Sequence, residues 1–307
     1  MRTFESSIII FSVMLCWASA YVFIKGLPED LSPFGYLALM NGMAAAIMVL
    51  CFFSRLKERL NRNNAVRGGI LGFLGLVVLL FEKAGIERLT PSAASVLASL
   101  GIVVVPLFVL LFYHRFPTRQ QVAAILLILV GVLVTNGVSP EDFPIVGSLF
   151  MLGDCIVMSL YTVIANRFSR QSDPVLLAVN QTVFMALVAF AAWFVENPRM
   201  FLDLEFTRSF LSSLFMLAIF TKAFAYIMLM YGQRYADPIN VVMIFALEPV
   251  VTLLMSVFIP QSMGGVEESF TMQALLGAVL VVLGAIVSGV DVSVIRQRFQ
   301  KHQEAAG

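Results

Sequence analysis

Charge is what this chain has least of. Only 13% of its 307 residues are Asp, Glu, Lys or Arg, while 60% are hydrophobic; soluble domains carry about 25% charged residues. Histidine is scarcer still. His114 and His302 are far apart, so no pair stands at metal-ligand spacing. Cys16, Cys51 and Cys155 are an odd, dispersed set inside apolar segments, which excludes a disulfide framework and a cysteine-bound metal. There is no phosphate-cradling glycine loop and no G-x-S-x-G, so neither a nucleotide-driven pump nor a serine hydrolase is written here. A membrane enzyme would need a nucleophile, a base and an orienting group in one cluster, and no such cluster is visible. A net charge of +1 offers no footing for nucleic acid.

What fills the chain is apolar sequence. A bilayer core of about 30 Å needs about 20 mostly apolar residues per helical span. Ten such stretches begin near Ser6, Pro33, Ala65, Pro91, Arg119, Pro144, Asp173, Ser209, Asp237 and Thr271. The fold class expected is therefore all-α integral membrane, with ten transmembrane helices and no soluble domain. Arg2 followed by an apolar run to Ala18-Ser19-Ala20 has the look of a signal peptide. Nine further spans favour a retained first helix.

The basic residues orient the chain. With the N-terminus cytoplasmic, the inner side receives Arg2, Arg55, Lys57, Arg59, Arg62, Arg67, Arg115, Arg119, Arg167, Arg170, Arg234, Arg296, Arg298 and Lys301. The outer side receives Lys25, Lys83, Arg88, Arg199 and Arg208, and most of the acids. The positive-inside rule then makes both termini cytoplasmic, at the cytoplasmic (inner) membrane, and requires an even number of spans.

The two halves repeat. Gly85 and Pro91 in Ala84-Gly85-Ile86-Glu87-Arg88-Leu89-Thr90-Pro91 match Gly232 and Pro238 in Tyr231-Gly232-Gln233-Arg234-Tyr235-Ala236-Asp237-Pro238. Each pattern closes one span and opens the next. Pro106 falls mid-span in the fourth stretch and Pro249 in the ninth. The expected domains are residues 1–138 (helices 1–5), residues 139–295 (helices 6–10) and a short cytoplasmic tail, 296–307. Five crossings per half invert the second half relative to the first, as in many secondary transporters.

Several motifs carry a family resemblance. The first span reads Trp17-Ala18-Ser19-Ala20-Tyr21-Val22-Phe23-Ile24-Lys25. The eighth and ninth carry Thr221, Ala225-Tyr226, Tyr231, Gln233, Asp237-Pro238 and Leu247-Glu248-Pro249-Val250, and the last carries Glu268, Thr271, Gln273, Gly277 and Gly284. In this order and spacing the chain resembles the drug/metabolite transporter superfamily, within it the ten-helix EamA-type family. The resemblance implies a secondary active transporter exporting a small organic metabolite by alternating access. It implies no enzyme and no cofactor. Asn41 stands where that family often has a basic residue, and Lys222 where it is normally apolar.

Buried charges and polar groups are the candidate site. An ionised side chain at mid-membrane costs about 2.5–3.5 kcal/mol on insertion scales. Lys222 and Glu248 fall at similar depth on consecutive antiparallel spans, and the expectation is a pair, either direct or bridged by substrate. The pair either staples two helices or edges a substrate cavity. Asp154 is the second intramembrane carboxylate; burial disfavours its ionised form, so it could load and release a proton. It could equally be a paired structural Asp. Trp17, Tyr21, Tyr161 and Tyr226 offer a wall for stacking or cation–π contact, though packing alone explains most aromatics. Asn41 and Asn180 can donate to a ligand or bind neighbouring helices. Glu82 and Lys83 read as interfacial. Pro106 and Pro249 are candidate hinges. The expected substrate is an amino acid or related zwitterion, since the midplane offers both acid and base; a lipophilic cation or toxic compound is the alternative. Proton coupling is the candidate energy source. The expected partners are a small-molecule substrate and the lipid bilayer, with the chain a monomer.

Overall fold

A computed structural model describes residues 3–19, 31–89, 91–136, 141, 143–199, 204–205, 207–248, 250–251 and 271–289. Tyr21, Pro249 and the 296–307 tail lie outside them. The described residues are helical throughout: α1 (Thr3–Ala18), α2 (Pro33–Cys51), α3 (Phe53–Arg59), α4 (Arg62–Ile86), α5 (Pro91–Ser99), α6 (Gly101–Tyr113), α7 (Arg119–Asn136), α8 (Ile145–Gln171), α9 (Pro174–Glu196), α10 (Arg208–Met216), a π-helical segment (Leu217–Phe224), α11 (Ala225–Tyr235), α12 (Pro238–Phe245) and α13 (Met272–Gly289). Among the described residues, six stretches are long and apolar enough to cross a membrane: Pro33–Cys51, Arg62–Gly85, Val96–Tyr113, Ile145–Gln171, Pro174–Glu196 and Arg208–Tyr235. Glu5–Ala18, Arg119–Thr135 and Met272–Val287 are shorter apolar helices.

The helix starts are set by capping side chains. A helix leaves its first four N–H groups without intrahelical partners. Ser32 accepts from the Gly35 N–H at 3.1 Å, Asn61 from Asn64 at 2.8 Å, Thr207 from Phe210 at 3.2 Å and Thr271 from Ala274 at 3.0 Å. Thr118 and Gln121 close a reciprocal capping box. Asp173 and Asp237 cap α9 and α12, each followed by a proline at the first helical position.

Small residues set the packing. α7 lies along α13 and α4 between α8 and α9, while α9 also lines α2. Gly131 and Gly277 meet so closely that a Cβ on Gly277 would stand 2.6 Å from the Gly131 carbonyl oxygen and 2.4 Å from the Thr135 nitrogen. A Cβ on Gly68 would stand 2.4 Å from that of Asn180. Without hydrophobic drive between helices in lipid, such close backbone approach holds a bundle together.

Two hydrogen-bond patterns repeat at the spacing that relates Gly85 to Gly232 and Pro91 to Pro238. The Leu100 N–H donates to the Leu97 carbonyl at 3.1 Å, and Val104 donates to Leu100 at 3.1 Å. Likewise Leu247 donates to Ile244 at 3.1 Å, and Val251 to Leu247 at 3.0 Å. The turn at Leu100 separates α5 from α6, and the turn at Ala246-Leu247 ends α12. Pro106 sits inside α6, buried, past the interruption.

The connections sort to two ends. At one, Asp173 binds Arg55 at 2.7 Å and Arg59 at 3.8 Å, and Arg67 donates to Ser172 and Gln171. At the same end of α8, Arg170 reaches the Ala236 carbonyl and Arg115 pairs with Asp237. At the other end Arg88 and Leu89 lie against Gly147, and Trp193 against Gly35.

Candidate functional site

The polar interior is built around the π-helical segment. A π turn inserts an extra residue into a helix and recurs at functional positions. Here it runs through Thr221 and Lys222. The Trp17 indole N–H on α1 donates to the Thr221 carbonyl at 3.1 Å, tying α1 to the segment. Trp17 stacks on Phe245 of α12 with centroids 5.0 Å apart, and meets Tyr226 edge-on at 6.4 Å.

Lys222 is 7% exposed. Its ammonium donates to the Tyr226 hydroxyl at 3.2 Å and stands 5.0 Å from that ring's centroid. A direct ion pair with Glu248 is not formed: among the described residues no carboxylate lies within 4.0 Å of Lys222. The π turn changes which face of the helix Lys222 occupies, and Tyr226 takes its ammonium. Burial of a charge is tolerated when hydrogen bonds and an aromatic face replace water.

The acid that meets Lys222 electrostatically is Glu82 on α4. Glu82 also lies within electrostatic range of Asp154, Glu248 and Tyr36. Glu82 is half-buried one turn from the end of α4. Lys83 is exposed and pairs with Glu87 at 3.4 Å. Consecutive residues on an α-helix point about 100° apart, so one faces out and the other in. Close packing of α4 on α8 sets the acids together. A Cβ on Gly153 would stand 3.1 Å from the Phe81 ring, and one on Gly85 would stand 2.5 Å from the Met151 sulfur. Asp154 is 7% exposed, and its Oδ1 has no hydrogen-bond partner. Glu82 and Glu248 are surrounded by protein, yet each keeps accessible surface. Among the described residues no three His, Cys, Asp or Glu side chains could hold a metal ion.

Tyr161, buried on α8, donates to the Gln181 side-chain oxygen at 3.0 Å and lies within electrostatic range of Tyr226. Gln181 Nε2 and Asn180 Nδ2 on α9 are buried without a partner. Asn41 donates to the Leu37 carbonyl of its own helix at 2.8 Å, leaving its Oδ1 unpaired. Trp17, Lys222, Tyr226, Tyr161, Asp154 and Glu248 thus share one interior region. Sequence reasoning missed Phe245 and Gln181 as members, and held Glu82 as interfacial and only a reserve candidate for a proton site. The signal for Glu82 was an acid a full turn inside an apolar span, one turn before Gly85. Phe245 had no signal among 27 phenylalanines.

Comparison with known proteins agrees with this architecture. The model of the EamA-like transporter family matches residues 6–137 and again residues 145–290. A protein of Archaeoglobus fulgidus described as an uncharacterized transporter is 26% identical over 275 residues, covering 90% of this chain and 82% of the relative. The uncharacterized transporter YyaM of Bacillus subtilis is 26% identical over 270 residues, covering 84% of each. A solved crystal structure matches with a TM-score of 0.76 over 97% of this chain and 99% of its own, at 20% identity, which shows a shared fold. With apolar helices throughout and a polar group enclosed among them, this chain is a multi-pass membrane transporter and belongs to the EamA-like transporter family.

Proposed function

We propose that this transporter is a secondary active exporter of a small organic zwitterion, an amino acid or close relative. The observation that carries the reading is the buried Lys222 side chain, which donates to Tyr226 and has no carboxylate within 4.0 Å among the described residues, with Glu82 in electrostatic range of it and of Asp154 and Glu248. A substrate carboxylate would complete Lys222, and its ammonium would face the acids. Trp17, Tyr226 and Phe245 would pack against its apolar part. The predominance of acids over the single lysine favours a second reading, an exporter of lipophilic cations.

In this reading the chain crosses the inner membrane ten times, as two inverted five-helix repeats with both termini cytoplasmic. The gathering of Arg55, Arg59, Arg67, Arg115 and Arg170 at one end supports assigning that end to the cytoplasm. Alternating access would use the matched interruptions at Leu100 and Leu247, with Pro106 and Pro249 as the candidate hinges. The energy would come from an ion gradient, and the chain would act as a monomer.

The test is a thermal-shift screen of purified protein against amino acids, nucleosides and cationic drugs, followed by flux in proteoliposomes. An amino acid that stabilises the protein and crosses, with both effects lost in Lys222→Met, is the expected result. Stabilisation and flux confined to cationic drugs, and kept in Lys222→Met, would replace the zwitterion by a cation.

A further inference from the structure

Nothing in the run Leu217-Ala218-Ile219-Phe220-Thr221-Lys222-Ala223-Phe224 calls for a π-helix. It holds no glycine or proline, and every residue in it is compatible with an α-helix. The register is therefore imposed by groups elsewhere in the fold, and the hydrogen bonds show by which. In an α-helix the Ala225 N–H would serve the carbonyl four residues back, that of Thr221. Here it donates to the carbonyls of Phe220 and Lys222, on either side. The carbonyl that it passes over takes the Trp17 indole N–H at 3.1 Å. The Thr221 hydroxyl in turn donates to the Leu217 carbonyl at 2.7 Å. Trp17 is itself fixed by Phe245, on which it stacks, and by Tyr226, the partner of Lys222. The rest of α1 is seated on α11, where Ile10 lies against Gly232.

We propose that Trp17 is a positioning residue for Lys222: its indole N–H stands in for the Ala225 amide on the Thr221 carbonyl and holds the π register in which Lys222 meets Tyr226. This deepens the reading of Lys222 as the group that receives substrate, and rests on it. Withdrawal of the indole returns the Thr221 carbonyl to the Ala225 N–H and expels the extra residue of the π turn. One residue of register is about 100° of rotation. The helix on the Leu217 side of Lys222 turns by that amount relative to α11, and Lys222 leaves its present line on the Tyr226 ring. Leu211 and Phe215, exposed on α10, then move to where Phe210 and Leu214 are buried. That rotation is open to a helix in lipid, because lipid tails are as apolar as leucine and exchanging one apolar face for another costs little. A ligand that displaces the indole from Phe245 and Tyr226 would thus re-aim the lysine that it binds.

Two measurements in lipid nanodiscs test it, and neither uses a substrate. Deleting Ala218 takes one residue out of the π-helical segment, so that an α-helix can run through it with both flanks in their present phase. Trp17→Phe keeps a ring on α1 and loses the donor. It should lower the melting temperature of the otherwise intact chain and leave that of the chain lacking Ala218 nearly unchanged, because there the Ala225 N–H already serves Thr221. An equal loss in both chains would make the indole a packing group and overturn the proposal. The second measurement does not depend on the shortened chain folding. With native cysteines replaced, a nitroxide on Phe215→Cys should lie in lipid and lose its accessibility to dissolved oxygen several-fold when Trp17→Phe is added, while one on Tyr235→Cys of α11 should not change. Oxygen accessibility at the Phe215 position that Trp17→Phe leaves unaltered overturns the proposal by itself. The expected losses in a protein that moves no amino acid would leave Trp17 in this role and sink the zwitterion reading.

Discussion

The Lys222 ammonium donates to the Tyr226 hydroxyl at 3.2 Å while standing 5.0 Å from the centre of the same ring. One aromatic residue thus supplies both the hydrogen bond and the π face that this buried side chain uses, and among the described residues no acid lies within 4.0 Å of it. Lys222 is therefore held in place yet left available to an anion. Removing Tyr226's hydroxyl should be felt there first. Tyr226→Phe keeps the ring and loses one hydrogen bond to a charged group, worth about 1.5–3 kcal/mol. Thermal unfolding should fall accordingly, and substrate affinity should change more than in Tyr161→Phe, whose hydroxyl is already committed to Gln181.

The electrostatic partner of Lys222 is open to a double-mutant cycle. Stranding a buried charge costs about 3–5 kcal/mol. Lys222→Met should be destabilised, and Glu82→Gln in the same chain should recover more of that loss than Glu248→Gln does. Equal recovery by the two changes would show that Lys222 is balanced by the acids collectively.

Trp17 should report on the π-helical segment, because its indole holds the Thr221 carbonyl. Trp17→Phe should cost about 0.5–1.5 kcal/mol of stability for the lost hydrogen bond. The chain has two tryptophans. In Trp193→Phe, the remaining Trp17 emission should shift when any substrate found by the thermal screen binds; an unmoved spectrum would place the substrate away from α1.

The seam between α7 and α13 should not tolerate a side chain. A Cβ on Gly277 would stand 2.1 Å from the Thr135 hydroxyl and 2.4 Å from that residue's backbone nitrogen. Overpacking of this kind costs typically 1–3 kcal/mol. Gly277→Ala should lower the melting temperature and the yield of monodisperse protein, whereas an alanine at Gly69, whose Cβ would find only ordinary contact with Phe184, should not.

Asp173 has two roles that substitution can separate. It caps α9 through the Val175 N–H and binds Arg55 and Arg59. Asp173→Asn keeps a capping oxygen and loses the charge, so the cost should be within about 0.2–1 kcal/mol. Asp173→Ala should lose about 1 kcal/mol more, the usual worth of a cap. For sidedness, with native cysteines replaced, Arg199→Cys should label from outside and Asn63→Cys only from inside; the reverse would invert the orientation.

The helices and their limits were legible in the sequence because their causes are local. Apolar length, Asp-Pro and Ser-Pro starts and a capping box act within a few residues, so expected starts such as Pro33, Pro91 and Arg119 coincide with α2, α5 and α7. The repeat was legible as Gly85-to-Pro91 against Gly232-to-Pro238, because glycine and proline constrain the backbone wherever they stand. Which charges meet was decided only by tertiary packing. Glu82 and Lys83 are neighbours in sequence with the same depth, and only the rotation of α4 against Gly153 and Met151 of α8 sends one inward and the other to Glu87. Lys222 and Glu248 matched in depth, but depth fixes one coordinate of three. The π turn and the ring of Tyr226 fixed the others, because a side chain's direction depends on helix rotation and on neighbours far away in the chain.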